Sequence, residues 1–259
     1  MKVRKVQQKR GWAIDVAVVI LKPALFATTR RTWIDGEKLP AEGGCIVVVN
    51  HMSHVDPLLT ALFVYDHGRI PRYLAKSGLF KNKFLAGFLT SAGQIPVERL
   101  SRTAIGAYDA AVSAVRAGEC VVVYPEGTLT RDPALWPMTG KSGAARIALE
   151  TGCPVIPIGH WGVQKILPPY SSKPRLVPPQ HVTMKAGDPV DLGDLVGRTR
   201  STEAINEATA RIMAALTAIV EELRGETAPT ERFDPRRMGV KQIGNPNKRR
   251  TRKKKDGRG

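Results

Sequence analysis

Val47-Val48-Val49-Asn50-His51-Met52-Ser53-His54-Val55-Asp56-Pro57-Leu58 is the stretch from which the fold is read. Residues 45–49 form an apolar, largely β-branched run, the pattern of a strand buried on both faces. Pro57 opens an apolar-periodic helix over 57–65, because proline's fixed φ suits a first helical turn. His51 to Asp56 is therefore a strand-to-helix turn of an α/β sheet. Ligands of such sheets bind beyond the carboxyl ends of the strands, where a rigid scaffold presents side chains to solvent.

That turn carries a histidine and a carboxylate five residues apart. Imidazole takes a proton near neutral pH when its other nitrogen is held by an acceptor that fixes the tautomer and stabilises the imidazolium. With His51 as base and Asp56 as orienter, the pair is two thirds of a serine-hydrolase triad. The third member is either a serine of the chain or a hydroxyl of the substrate. No Gly-x-Ser-x-Gly elbow occurs in the sequence, which favours the substrate. Asp56 and Ser53 are also well placed to cap the following helix. His54 has no evident partner and reads as a surface residue.

The chain has 259 residues, 42% of them hydrophobic, enough for one large domain with appendages. Its formal net charge of +17 predicts attraction to a polyanion: nucleic acid, an anionic lipid surface or a phosphorylated substrate. Cys45, Cys120 and Cys153 are isolated within apolar runs and read as small core hydrophobes of a reducing compartment. No metal site and no cofactor is expected.

Residues 1–30 combine a basic start with an apolar stretch, 12–27, interrupted by Asp15, Lys22 and Pro23. It is too short and too broken for a membrane span, which needs about 20 apolar residues. It reads as an amphipathic helix at a membrane interface, with Trp12, Ile14, Val18, Leu21 and Leu25 dipping into lipid, or as a core-packing helix. Residues 31–225 form the catalytic domain, opening with a turn-rich approach over 31–44. Strands are expected at 71–76, 120–124 and 155–159, and helices at 80–90, 101–117, 142–151 and 202–224. Residues 226–259 hold twelve basic and four acidic residues and include the basic run 248–255, the composition of a disordered tail.

Lys76 and Arg99 each end a strand-like run, and cations there could bind a phosphate in the crevice that holds His51. Glu126-Gly127-Thr128 follows a buried strand. A glutamate there can accept hydrogen bonds from a substrate or cap a turn, and the glycine allows close backbone approach. Gly140-Lys141-Ser142 resembles the end of a phosphate-binding loop, but position 135 is leucine and no strand precedes it, which excludes that motif.

Four segments taken in order resemble the lysophosphatidate acyltransferase family, the 1-acylglycerol-3-phosphate O-acyltransferases related to glycerol-3-phosphate acyltransferase. They are Asn50-His51-x-Ser53-x-x-Asp56, Gly93-x-Ile95-Pro96-Val97-x-Arg99, Pro125-Glu126-Gly127-Thr128 and Val155-Ile156-Pro157-Ile158. Lys141-x-Gly143-Ala144 also matches a common successor of the third. The resemblance covers roughly 25–223. It implies a glycerol-3-phosphate acyltransferase-like fold: a mixed, mostly buried α/β sheet flanked by helices, with an amino-terminal amphipathic helix. It implies His51 and Asp56 as the catalytic pair. Arg99, Glu126, Gly127 and Thr128 would bind the acceptor, Arg99 with Lys76 and Arg131 at its phosphate. Where the family usually has arginine after Glu-Gly-Thr this chain has Leu129, which shifts that duty to another cation or changes the acceptor.

The reaction so implied moves a fatty acyl group from acyl-coenzyme A or acyl-carrier protein to the free hydroxyl of 1-acyl-sn-glycerol 3-phosphate, giving phosphatidic acid, with no acyl-enzyme. The enzyme would sit peripherally on the cytoplasmic face of the cell membrane, against an anionic surface. One rival keeps the chemistry and changes the acceptor to another lysophospholipid, glycerol 3-phosphate or a glycolipid. Another makes the chain a basic nucleic-acid-binding protein. The tail has no aromatic residue among its cations at 248–255 with which to stack bases, which disfavours that rival.

Overall fold

The computed structural model describes residues 4–8, 10–97 and 104–240. Its centre is a seven-stranded sheet in the order β1-β7-β6-β2-β5-β3-β4. The strands are β1 (Thr29–Ile34), β2 (Cys45–Val49), β3 (Pro71–Lys76), β4 (Ile95–Val97), β5 (Cys120–Val123), β6 (Val155–Trp161) and β7 (Gln180–Ala186). All neighbours run parallel except β6 and β7, so the sheet is mixed.

β2 is the middle strand, and every one of its residues is buried. Its side chains alternate between two cores, as a pleated strand requires. Ile46 and Val48 join Val121 and the helices α4 (Ala104–Arg116), α5 (Gly143–Thr151) and α7 (Thr202–Arg224) on one face. Cys45, Val47 and Val49 join Ile156, Ile158 and α2 (Asp56–Asp66) on the other. α7 starts at Ser201, whose hydroxyl accepts the Ala204 N–H at 3.1 Å, and ends at Gly225 in the left-handed conformation. It lies tight on β6 because Gly159 has no side chain: a Cβ there would stand 2.5 Å from Ile219 Cγ2.

The structure departs from the sequence reading at the β1–β7 edge of the sheet and at both ends of the chain's described part. The turn-rich approach expected over 31–44 begins as β1, an edge strand, whose half-exposed Thr-Arg-Arg-Thr run lacks the apolar density of a core strand. β7 was not anticipated, since it too alternates partly exposed with buried residues. α1 (Trp12–Thr28) runs through Pro23, and its orientation differs from expectation. Ile14, Val18 and Leu25 are half-buried and Lys22 Nζ pairs with buried Asp66 at 2.6 Å, so one side of α1 packs on the domain. Of the five residues expected to face lipid, Trp12 and Leu21 are exposed, and Val16, Val19 and Ile20 join them on the outward side. Two further helices, α3 (Lys83–Ser91) and α6 (Val163–Ile166), complete the helical layers.

Residues 226–240, assigned by composition to the tail, run along the domain. Phe233 O accepts the Thr139 N–H at 3.0 Å, and Glu221 Oε1 accepts the Ala228 N–H at 2.7 Å. The basic run 248–255 lies outside the described residues.

Candidate active site

β2, β5 and β6 are adjacent and parallel, so their carboxyl ends converge, and each delivers side chains to one crevice. β2 delivers Asn50, His51 and the turn to Asp56. β5 delivers Tyr124 and Glu126, and β6 ends with His160 and Trp161.

His51 and Asp56 come together. Asp56 Oδ2 lies 2.9 Å from His51 Nδ1 and also accepts the N–H groups of Met52 at 2.7 Å and Ser53 at 2.8 Å. Asp56 is the first residue of α2, and no side chain caps that helix. The capping alternative for Asp56 is thus corrected: its hydrogen bonds run backward into the turn, not forward into the helix. With the carboxylate ionised, Nδ1 carries the ring proton and Nε2 is left as the basic nitrogen. Asp56 is fully buried while the His51 side chain is 16% exposed, so the base meets solvent and its orienter does not. The Tyr124 ring stacks on the imidazole at 4.2 Å, and its hydroxyl donates to Thr60 Oγ1 at 3.2 Å. Ser53 is no nucleophile: buried, it donates to Leu167 O at 2.8 Å and accepts the Val55 N–H at 3.2 Å. His54 is exposed.

A second histidine stands behind the pair. His160 is fully buried, with Nε2 2.9 Å from Asn50 O and 3.6 Å from Asp56 Oδ2. Asn50 Oδ1 accepts the His160 N–H at 2.9 Å, and Asn50 Nδ2 donates to His160 O at 3.1 Å. Desolvation lowers the His160 pKa, so the ring is a neutral donor that pins the backbone just before His51.

Glu126 is 2% exposed, and its two oxygens accept the N–H groups of His51 at 2.9 Å and Met138 at 3.1 Å. These two bonds tie the catalytic turn to the 138 loop. Burial pushes its carboxyl up to about 8, against the pull of those two amides. Gly127 adopts φ +70, and a Cβ there would lie 2.6 Å from Lys141 Nζ, so the glycine admits both the turn and the neighbouring lysine. Thr128 is half-buried beside it.

Leu129 is buried, and its carbonyl accepts the Tyr170 hydroxyl at 3.0 Å. Arg131, expected at a substrate phosphate, is 7% exposed, with its guanidinium 4.7 Å from the Tyr170 ring centre. Stacked there, it braces the loop instead of facing solvent. Register puts Lys76 at the carboxyl end of β3, opposite Val97 and at the end of the sheet where His51 lies, but its side chain is outside the described part. Arg99 also lies outside the described residues. No group of three or more His, Cys, Asp or Glu gathers as a metal site among the described residues.

Sequence reasoning missed His160, Tyr124 and Tyr170. A polar His160 closing the otherwise apolar run 155–159 was the available clue for the first. The aromatics contribute through stacking, which has no spacing signature.

A family model described as Acyltransferase matches residues 30–161. A chloroplastic 1-acyl-sn-glycerol-3-phosphate acyltransferase of Brassica napus is 33% identical over 141 residues, 53% of this chain and 39% of that protein. The 1-acyl-sn-glycerol-3-phosphate acyltransferase of Bacillus subtilis is 28% identical over 177 residues, 66% of this chain and 82% of that one. The match thus spans well under half of the plant relative and most of the bacterial one. The crystal structure of the acyltransferase PlsC of Thermotoga maritima has the same fold, with a TM-score of 0.60 at 22% identity over 84% of this chain and 81% of that one.

Proposed function

This chain belongs to the acyltransferase family, and from that premise we propose that it transfers a fatty acyl group from an acyl thioester, carried by coenzyme A or acyl-carrier protein, to the free hydroxyl of 1-acyl-sn-glycerol 3-phosphate, giving phosphatidic acid. The observation that carries the reading is the His51 imidazole held through Nδ1 by buried Asp56 while its ring edge meets solvent. The names of the Brassica and Bacillus relatives support the choice of acceptor.

In this reaction His51 Nε2 takes the hydroxyl proton as the oxygen attacks the thioester carbonyl carbon. Asp56 stabilises the imidazolium that forms. The tetrahedral intermediate collapses with cleavage of the C–S bond, and the leaving thiolate recovers the proton from His51. A general base so placed contributes roughly 10²- to 10⁴-fold, and holding the hydroxyl in line contributes further. Tyr124 limits the imidazole's rotation, while Glu126 and His160 fix the N–H and the C=O of the one peptide that precedes its Cα. Lys76 and Arg99 remain the proposed partners of the acceptor phosphate.

A second reading keeps the chemistry and changes the acceptor to another lysophospholipid, glycerol 3-phosphate or a glycolipid. Buried Leu129 and stacked Arg131 favour it, since neither offers the cation the family usually places after Glu-Gly-Thr. A lipid acceptor calls for a peripheral enzyme at an anionic, cytoplasmic membrane surface, where cationic flanks and α1 would hold it. No described helix is long and apolar enough to cross a membrane.

The test is acyl transfer by purified protein in detergent micelles, with coenzyme A and carrier-protein thioesters against a panel of acceptors and with His51→Ala alongside. Product from lysophosphatidate that disappears in a folded His51→Ala protein supports the first reading. Product from a different acceptor selects the second. A folded His51→Ala protein with full activity would sink both.

A further inference from the structure

Between β6 and β7 the chain makes an arm, 167–179, whose tip is built against the rules for a soluble surface. Residues 172–179 are all exposed, and among them Leu176 is 42% and Val177 87% exposed, flanked by Lys173 and Arg175. Proline at 174, 178 and 179 stiffens the tip, so the apolar pair is held outward at little entropic cost.

The base of the arm is tied to the catalytic turns. Ser53 Oγ donates to Leu167 O at 2.8 Å, and Tyr170 donates its hydroxyl to Leu129 O at 3.0 Å. The Arg175 N–H closes back on Ile166 O at 2.7 Å. Strand directions then place the tip. β7 runs antiparallel to β6, and the start of β7 pairs with the start of β1 through Gln180 and Thr29. The arm therefore emerges at the carboxyl end of β2, β5 and β6, the end onto which His51 opens, beside the last turn of α1 with its exposed Phe26. Phe84, 82% exposed at the start of α3 between Lys83 and the rest of that helix, and Leu58, at the start of α2, lie at the same end. Exposed apolar groups ringed by lysine and arginine around the mouth of one crevice match the layering of an anionic bilayer: acyl chains within, phosphates at the rim.

We propose that the 167–179 arm is a membrane-docking element. Leu176 and Val177 enter the acyl-chain region of an anionic bilayer, Lys173 and Arg175 meet its headgroup phosphates, and the His51 crevice is thereby held against the surface that supplies a lipid acceptor. The benefit to catalysis rests on the acyl-transfer reading above; the docking itself does not.

The experiment compares the full chain with Leu176→Glu/Val177→Glu and, separately, Lys173→Glu/Arg175→Glu, by flotation with vesicles of phosphatidylcholine alone or mixed with phosphatidylglycerol. Both pairs of positions are exposed, so circular dichroism and thermal unfolding should match wild type. The apolar-pair variant should bind mixed vesicles about tenfold more weakly or worse. The charge-pair variant should lose affinity for mixed vesicles alone and flatten its salt dependence. Transfer to a long-chain acceptor embedded in vesicles should fall in step, while transfer to a short-chain, water-soluble acceptor stays unchanged. Unchanged flotation of the apolar-pair variant overturns the proposal, as does a shift in its oligomeric state without lipid, which would make the tip a contact between copies. If no acceptor is acylated by any form, the acyl-transfer reading fails and flotation still decides the docking.

Discussion

Asp56 gathers three donors on Oδ2, while its Oδ1 is buried without a hydrogen-bond partner. In Asp56→Asn the amide oxygen can keep the three bonds, but the amide nitrogen then occupies the partnerless side and the charge that stabilises the His51 imidazolium is gone. The expected result is a kcat lower by roughly 10²- to 10⁴-fold with KM little changed, and a stability loss of about 1–3 kcal/mol for the stranded N–H groups. Steady-state kinetics beside chemical denaturation separate the two effects, and an unchanged kcat would remove Asp56 from the mechanism. Glu126 gives a prediction in pH. Its carboxyl sits at about 8 in the folded protein against an ordinary 4.5, so between these values the native state holds a proton that the unfolded chain has lost. Its contribution to stability is therefore complete below the unfolded value and drains away as pH rises to about 8. Relative to Glu126→Gln, wild type should lose up to about 1.4 kcal/mol per pH unit across that window. Parallel stability profiles for the two proteins would show that the backbone amides of His51 and Met138 hold Glu126 ionised.

Among the elements, those buried on both faces were legible in the sequence and those at the margins were not. β2 and β5 are runs of Val, Ile and Cys with nothing polar to confuse them, β6 opens as the apolar run 155–159 before His160, and α7 has both a serine cap and a closing glycine. The His51 to Asp56 turn followed from β2 and Pro57 alone. β1 and β7 escaped because half-exposed strands draw on polar residues. The outward side of α1 was legible only in part, at Trp12 and Leu21, because an all-round apolar sequence does not say which side meets the domain; Lys22 reaching Asp66 decides it. Gly159 shows another property no pattern displays, the separation of two elements. Gly159→Ala would put a methyl 2.5 Å from Ile219 Cγ2 and force α7 off β6, at a cost of about 1–3 kcal/mol. Adding Ile219→Ala should recover part of that loss. Thermal unfolding of the two single variants and the double gives the coupling, and strictly additive losses would mean that α7 already has room to move.

For the whole molecule, the charge of +17 is unevenly spent, with seven of the eight residues at 248–255 basic. The described residues up to 240 are anchored: Phe233 O holds the Thr139 N–H, next to Met138 whose N–H binds Glu126, so the strap over 226–240 reaches the catalytic turn in two steps. Two truncations should therefore behave differently. Ending the chain after Val240 removes the basic run and leaves every bond of the strap among the described residues. The melting temperature and micelle activity should hold, while affinity for anionic vesicles falls steeply, since each basic residue near such a surface contributes about 1 kcal/mol. Ending it after Gly225 also removes the Phe233 bond and the Arg224 pairing with Glu226. That chain should melt several degrees lower and lose activity on every acceptor, soluble or embedded, because Met138 and with it Glu126 and His51 lose their brace. Equal melting and equal micelle activity for the two truncations would reduce the strap to a passive leader for the basic tail.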